Sequence, residues 1–311
     1  MSEHRRLVVV LGPTASGKSA LGIELARRLS GEVLVCDSTQ VYRRFDIGTA
    51  KVPVSERRGI PHHLVDLVEP EEVFTAGDFR RHALEALADL RARAKAPVLT
   101  AGTGLYLRAL LEGLAEAPQR SEELRDRLRQ SVDAHGWAHL HRVLARRDPD
   151  AAARIAPRDT QKIIRAVEIC LLSRKTLSEV HSAGREPLEG YEILKIGLNP
   201  PREALDARIH ARTDAMVAAG WIEEVRALSA ASIPAEAKPF QFIGYAEWRE
   251  HLEGHLSREL AIDRIRQATR NFAKRQLTWF RREQNVHWLG GFGDAPEVIA
   301  AAAEIIAMPH A

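Results

Sequence analysis

Cysteine and long apolar runs are both scarce in this sequence. Cys36 and Cys170 are the only cysteines among 311 residues, which is too few for a disulfide framework or a thiolate metal site. No segment approaches the roughly eighteen apolar residues of a membrane-spanning helix. The apolar run near the start also lacks the small-residue cleavage site of a signal peptide. With an apolar share of 45%, the chain is expected to be a cytoplasmic globular protein without membrane association.

The order of the apolar segments predicts an α/β fold. Residues 7–11, 32–36 and 97–101 are short apolar runs, typical of strands that are buried in a parallel sheet. Segments with helical spacing separate them, as in doubly wound proteins. Residues 121–182 contain several short helical stretches and no strand pattern, whereas residues 191–198 again resemble a strand.

Residues 12–19, GPTASGKS, match the phosphate-binding P-loop pattern, with a predicted strand before them and a predicted helix after them. In such a loop the glycines let backbone N–H groups point at phosphate oxygens, and the helix N-terminus adds its positive dipole end. The lysine then reaches the outer phosphate, and the serine hydroxyl holds Mg²⁺. We expect a di- or triphosphate to bind the residues of this loop, which are Gly12, Pro13, Thr14, Ala15, Ser16, Gly17, Lys18 and Ser19.

The strand pattern and the loop together predict an α/β protein of the P-loop NTPase type. Its parallel sheet core, including the C-terminal helices, is assigned to residues 1–117 and 195–311. An all-helical inserted domain is assigned to residues 118–194.

Polar groups follow two of the predicted strands. Asp37 comes directly after residues 32–36, and Thr103 lies in the glycine-containing turn AGTG that ends residues 97–101. Because the carboxyl ends of strands line the ligand crevice of an open α/β sheet, Asp37 is positioned to act as a general base on an acceptor. A role as a turn or helix cap is the alternative for Asp37, and a plain tight turn equally explains AGTG.

Residues 257–285 are strongly basic. They contain eight Lys or Arg against three acidic residues, a surplus of five that exceeds the net charge of +3 for the whole chain. Phe272, Trp279 and Phe280 are interleaved with these cations, and phosphate contacts combined with aromatic stacking suit RNA. The alternative is an amphipathic helix that buries its aromatic residues while its cations face water, and both can hold on opposite faces.

Five segments occur in this order: GPTASGKS, DSTQVYRRFDIGTAK, AGTGLYLRALLEGL, RAVEI and IGYAE. Together they resemble the tRNA dimethylallyltransferases, or IPP transferases, over nearly the whole chain. The resemblance implies transfer of a dimethylallyl group from dimethylallyl diphosphate to the exocyclic amine of the adenosine just 3′ of a tRNA anticodon. The P-loop would then hold an isoprenoid diphosphate, with Mg²⁺, instead of ATP. The chain departs from many members at Ala101, where we expect glycine.

The resemblance also assigns roles to residues. Asp37 is the implied catalytic base, with Thr103 beside it, and Arg212 is the implied grip on the diphosphate, which Arg208 one turn earlier could share. Phe240 and Phe242 resemble a loop that stacks on an extruded base. The helical domain is implied to grip the anticodon stem-loop. The stretches that match tRNA-contacting stretches of the family are Asp37, Ser38, Thr39, Gln40, Thr103, Arg125, Gln161, Lys162, Ile163, Ile164, Arg165, Gln241, Phe242, Ile243, Gly244, Tyr245 and Ala246.

Three other functions fit parts of the pattern. An ATP-dependent kinase of a small metabolite would use Asp37 to deprotonate a hydroxyl group, but a substrate lid does not require a basic helical apparatus. A prenyltransferase of free adenine nucleotides would not need the insertion. A non-catalytic RNA-binding NTPase lacks support, because no guanine-recognition motif is present. Nothing marks a symmetric interface, so a monomer is expected.

Overall fold

The computed structural model describes residues 5–115, 117–182 and 184–309. Within them the chain forms six strands and thirteen α-helices. The strands are β1 (Arg5–Leu11), β2 (Glu32–Cys36), β3 (His62–His63), β4 (Pro97–Ala101), β5 (Tyr191–Leu198) and β6 (Val286–Leu289). The helices are α1 (Lys18–Arg28), α2 (Ala76–Ala92), α3 (Gly104–Glu112), α4 (Glu122–His135), α5 (Trp137–Arg147), α6 (Pro149–Arg154), α7 (Thr160–Ser173), α8 (Leu177–Ser182), α9 (Arg202–Ala218), α10 (Trp221–Ala230), α11 (Tyr245–Leu252), α12 (Arg258–Phe280) and α13 (Pro296–Ala307).

All six strands belong to one parallel sheet with the order β3-β2-β4-β1-β5-β6. The central strand β1 pairs with β4 through Val8 opposite Val98, and with β5 through Val8 opposite Leu194. Because β1 and β4 are central and covered on both faces, their residues are apolar almost without interruption. The predicted α/β fold with a parallel sheet core is therefore confirmed.

Two apolar layers cover the sheet. On one face, alternate strand residues such as Leu7 and Leu34 pack with side chains of α2 and α3, together with Phe280 of α12. On the other face, Val8 and Val33 pack with α1 and α13. A third apolar cluster surrounds Phe45 and contains α10, α11 and the start of α12. None of the described helices is long and apolar enough to cross a membrane.

The chain divides into two compact units. One contains Met1–Leu111 and Leu188–Ala311, and the other contains Glu112–Pro187. The second unit is helical throughout its described part, from α4 to α8, with its own apolar cluster around Leu144 and Ile163. The helical unit therefore begins and ends several residues earlier in the chain than the predicted insertion of residues 118–194. Residues 191–194 belong to β5, which pairs with β1 along its length.

A buried carboxylate organises the helical unit. Glu168 on α7 accepts hydrogen bonds from the guanidinium of Arg125 at 2.9 Å, from that of Arg165 at 2.6 Å and from the Ser121 N–H at 2.9 Å. Burial would raise the pKa of Glu168, but these donors outweigh it and hold the pKa at about 2. The side chain is completely buried, so its charge depends on these partners.

We predict that Glu168→Gln lowers the free energy of unfolding by about 3 kcal/mol, since it leaves two cations around a neutral group. Glu123→Gln is the control, because that carboxylate is 78% exposed in its pair with Arg127 and such pairs contribute about 0.5 kcal/mol. Because the pKa is lowered on folding, the stabilisation is present above about pH 4.5 and is lost as the pH falls toward 2. Equal thermal shifts for the two variants would contradict this account.

Candidate active site

Three loops meet at the carboxyl edge of the sheet. The P-loop follows β1, Asp37 follows β2, and the turn Gly102–Thr103 follows β4. These strands are neighbours in the order β2-β4-β1 and run parallel. The sheet therefore brings together the three segments that the sequence singled out.

The P-loop adopts left-handed backbone conformations at Ala15, with φ of 62°, and at Gly17, with φ of 85°. Gly17 ends the loop, and α1 begins at Lys18, so the helix N-terminus opens onto the loop as expected for an anion site. A side chain at Gly17 would collide with Gly293 and Asp294. Ser16 is fully buried, whereas Ser19 is exposed in the first turn of α1.

Two partly buried cations face the loop. The Lys18 Nζ donates to the Pro13 carbonyl at 2.7 Å, and the Arg212 guanidinium of α9 donates to the Thr14 hydroxyl at 3.1 Å. Burial lowers the pKa of Lys18 to about 7; the nearby Asp37 carboxylate opposes this shift, and Arg212 adds to it. Burial likewise lowers the pKa of Arg212, again opposed by Asp37. The site therefore holds poorly solvated positive charge where an anion would be stabilised.

The Asp37 carboxylate is oriented by its own turn. Its Oδ1 accepts the Thr39 N–H at 2.8 Å and the Thr39 hydroxyl at 2.7 Å. A Cβ atom at Gly102 would lie 2.7 Å from Asp37 Oδ2, so only glycine permits this approach of the neighbouring turn. One carboxylate oxygen is thus fixed and the other lies against the β4 turn.

Thr103 joins that turn to the segment after β2. The N–H groups of Gly102 and Thr103 both donate to the Cys36 carbonyl, at 3.0 and 3.1 Å. The Thr103 hydroxyl accepts the Ser38 N–H at 3.0 Å and lies 3.3 Å from the Ser38 hydroxyl. Ala101, where glycine was expected, ends β4 with its methyl group buried in the core. The alanine methyl group is therefore accommodated in the core at the end of the strand.

No sequence pattern points to Glu224, which supports the loop of the DIGTAK motif. Its carboxylate accepts the N–H groups of Asp46 and Ile47 at 3.0 and 2.8 Å and the Tyr245 hydroxyl at 2.6 Å. Burial and Glu224 raise the pKa of Tyr245. A Cβ atom at Gly48 would collide with the rings that cover this loop. An acidic residue on a distant helix thus holds the loop in place.

Arg208 does not share the expected diphosphate-binding position of Arg212, because its guanidinium is paired elsewhere. Its guanidinium makes two 2.7 Å hydrogen bonds to the Asp294 carboxylate and lies 4.6 Å from the centre of the Phe292 ring. The Gly293 N–H then donates to the Ser16 carbonyl at 2.8 Å. Arg208 therefore anchors a C-terminal segment that packs on the P-loop, and Arg212 alone reaches Thr14.

Residues 241–246 only partly present their side chains to solvent. Gln241 is exposed, whereas the Tyr245 side chain is fully buried beneath them. The expected stacking role is wrong for Phe240, which is 3% exposed and packs edge-on against Phe45 at 5.5 Å. Phe242 is half-buried, with its ring 5.7 Å from that of Tyr42. The sequence Phe240-Gln241-Phe242 is too short a pattern to predict which of its aromatic side chains is buried.

In the helical unit, residues 161–165 form the start of α7. Ile163 and Ile164 are core residues of that unit, so side-chain contacts with a partner are left to Gln161, Lys162 and Arg165. Arg125 is 15% exposed, with its guanidinium paired to the buried carboxylate described above. Its Nε and Nη2 atoms donate to Glu168, so the RNA contact that the family resemblance implies stays a prediction for its remaining N–H groups.

Helix α12 has two different faces. Phe280 is buried in the sheet core, and the indole of Trp279, which is 37% exposed, covers Gly104. The cations that face solvent are Arg258, Arg264, Lys274, Arg275, Arg281 and Arg282. The burial of Phe280 and the solvated cations fit the amphipathic interpretation, whereas Phe272 is partly buried and Trp279 partly exposed. The RNA interpretation of the exposed face stays a prediction.

We predict that Lys18 titrates near pH 7 in the free protein and at a distinctly higher pH once inorganic diphosphate is bound, because the anion stabilises the ammonium form. NMR of ¹³C-labelled lysines measures both values, and Lys18→Arg identifies the resonance. A midpoint near the ordinary value of 10.5 in the free protein would contradict the lowered pKa of Lys18 at this site.

Known proteins resemble this chain over almost its full length. The family model described as IPP transferase matches residues 40–283. A protein named tRNA dimethylallyltransferase from Solibacter usitatus is 50% identical over 301 residues, which cover 97% of this chain and 98% of the relative. Its counterpart from Koribacter versatilis is 50% identical over 300 residues, covering 96% and 97%.

Solved structures agree. The full-length tRNA isopentenylpyrophosphate transferase from Bacillus halodurans matches with a TM-score of 0.71 and 38% identity, covering 97% of this chain and 96% of that one. A eukaryotic dimethylallyltransferase acting on tRNA matches with a TM-score of 0.82 and 28% identity, covering 97% and 78%. The chain therefore belongs to the IPP transferase family, the tRNA dimethylallyltransferases, as its motifs predicted.

Proposed function

We propose that this chain transfers the dimethylallyl group of dimethylallyl diphosphate to the exocyclic amine of the adenosine that follows a tRNA anticodon. The observation that carries the proposal is the meeting of the P-loop, Asp37 and Thr103 at one edge of the sheet. The alternative, that the same loop belongs to an ATP-dependent kinase, is less well supported. The relatives that match along the chain are named tRNA dimethylallyltransferases and not kinases.

The leaving diphosphate is the first chemical requirement. An allylic carbon ionises readily once negative charge on its leaving group is stabilised, so the catalyst needs fixed positive groups. Lys18, Arg212 and the start of α1 supply them around the P-loop. Because Lys18 and Arg212 are partly buried, water screens their charge less than it would at an exposed site.

Mg²⁺ is proposed as the cofactor. No group of three His, Cys, Asp or Glu side chains able to hold a metal occurs among residues 5–115, 117–182 and 184–309. The protein donor that fits is therefore the exposed Ser19 hydroxyl at the start of α1, with diphosphate oxygens and water as the remaining ligands. When bound, the ion would neutralise charge on the departing diphosphate.

Asp37 is proposed as the base. An aromatic exocyclic amine is a weak nucleophile, so removing its proton during attack on the allylic carbon assists the reaction. The new C–N bond forms as the C–O bond to diphosphate breaks, and the amine proton passes to the carboxylate. Thr39 fixes one carboxylate oxygen, which leaves Oδ2 for this proton.

The nucleic-acid partner is proposed to be the anticodon stem-loop of tRNA. An adenosine stacked in such a loop reaches a crevice at the sheet edge only after it is extruded. Within the core unit, the exposed Gln241 and the exposed cations of α12 are proposed to hold the RNA. Gln40 is partly buried and its amide nitrogen donates to the Thr49 carbonyl at 3.1 Å, so its amide oxygen is the group proposed to contact RNA. Within the helical unit, Gln161, Lys162 and Arg165 are proposed to do so. A monomer is proposed, since the P-loop, base and arginine all come from one chain.

We predict that Asp37→Asn lowers the rate of dimethylallyl transfer to tRNA by roughly 10²- to 10⁴-fold while tRNA affinity stays within about twofold. The substitution keeps the shape of the side chain and an oxygen for Thr39. Asp89→Asn is the control, because Asp89 pairs with Arg93, whose other partner is Glu32 at the opposite end of β2. Undiminished transfer by Asp37→Asn would show that Asp37 is not the base.

The exposed cations of α12 generate a second prediction. The double variant Lys274→Gln/Arg275→Gln should bind tRNA more weakly, and the slope of log affinity against log salt should become shallower by about 1 to 2. Arg226→Gln on α10 serves as the control, since that arginine is 59% exposed and pairs with Glu223. Fluorescence titrations at several salt concentrations measure both slopes, and identical slopes would show that α12 does not contact RNA.

A further inference from the structure

Gln276 connects the P-loop with the β4 turn. Its side chain is buried on α12, with 7% of the residue exposed. The amide oxygen accepts the Thr14 N–H at 2.7 Å, and the amide nitrogen donates to the Gly102 carbonyl at 2.8 Å. One planar group thus bridges two loops that come from adjacent strands.

The helix that carries Gln276 is itself fixed on both sides of it. One turn earlier, Ala273 packs in the apolar cluster that contains Ala15 of the P-loop. One turn later, the Trp279 indole lies so close to Gly104 that a Cβ atom there has no room. Phe280 is anchored in the sheet core. The amide therefore cannot follow the loops if they move, and it holds them at a set spacing.

Both loops bonded to Gln276 carry groups of the reaction. The Thr14 hydroxyl also accepts a hydrogen bond from the Arg212 guanidinium. The hydrogen bond from the Thr14 N–H to Gln276 therefore helps to fix the position of the arginine. Gly102 lies directly against Asp37 Oδ2. The two hydrogen bonds of Gln276 consequently link the P-loop, which is proposed to hold the leaving group, to the β4 turn, which lies against the proposed base.

We propose that Gln276 is a positioning residue, which sets the distance between the P-loop with Arg212 and the turn that backs Asp37. The inference rests on the proposed function, because the reacting partners are assigned by it. Misplacing reacting groups by about 1 Å can cost roughly 100-fold in rate, while binding of either substrate alone tolerates such a shift. The effect of losing Gln276 should therefore fall on turnover and spare tRNA affinity.

Two substitutions separate the two hydrogen bonds. Gln276→Met keeps the length of the side chain and removes both bonds, so it should lower turnover roughly 100-fold with tRNA affinity unchanged. Gln276→Glu keeps an acceptor for the Thr14 N–H, but its ionised form cannot donate to the Gly102 carbonyl. Protonation restores that donor, so the activity of Gln276→Glu relative to wild type should rise as the pH falls from about 8 to about 6.

Leu87→Ala on α2 is the stability control, since Leu87 lies in the core beneath the sheet. It should lower the melting temperature at least as much as Gln276→Met while leaving turnover of the folded enzyme unchanged. Absence of transfer by wild-type protein would overturn the proposed function itself. Transfer by wild type together with Gln276→Met within about threefold of it, or a flat relative pH profile for Gln276→Glu, would overturn the positioning role. A loss of turnover that merely matches Leu87→Ala would overturn it as well.

Discussion

Parallel pairing of β2, β4 and β1 is the constraint on which the site depends. Since neighbouring parallel strands end at the same edge, their following loops must meet there, and each loop contributes a different group. The continuous apolar content of these strands permits this arrangement, because helices cover both faces of the sheet. A shift of one strand by a single residue would exchange its two faces and separate the loops.

Partly buried positive charge determines the chemistry of this edge of the sheet. Lys18 and Arg212 are partly buried beside the P-loop, where loss of hydration lowers the pKa of each and the Asp37 carboxylate opposes that shift. A diphosphate relieves this cost by supplying the missing negative charge, so anion binding and the charge state of the site are coupled. In the proposed reaction the same groups would stabilise the negative charge that develops on the leaving diphosphate. One set of cations would then serve both binding and catalysis.

The sequence predicted those parts of the site that are carried by local patterns. The P-loop and Asp37 stand out because they follow strand-like runs, and Arg212 was reached only through the family resemblance. Gln276 gave no such signal, since its partners lie 262 and 174 residues away in the chain. Glu224 was hidden for the same reason. The predicted stacking role of Phe240 is wrong, because a short polar and aromatic pattern does not reveal which ring enters the core.

The central claim is that the P-loop holds an allylic diphosphate whose carbon skeleton passes to tRNA. The most direct measurement incubates the protein with Mg²⁺ and unmodified tRNA that has adenosine after its anticodon, with either labelled dimethylallyl diphosphate or γ-labelled ATP. The account predicts label in tRNA from the isoprenoid only, recovered as isopentenyladenosine at that position. Label transferred from ATP alone, to RNA or to any small acceptor, would contradict it and identify the loop as that of a kinase.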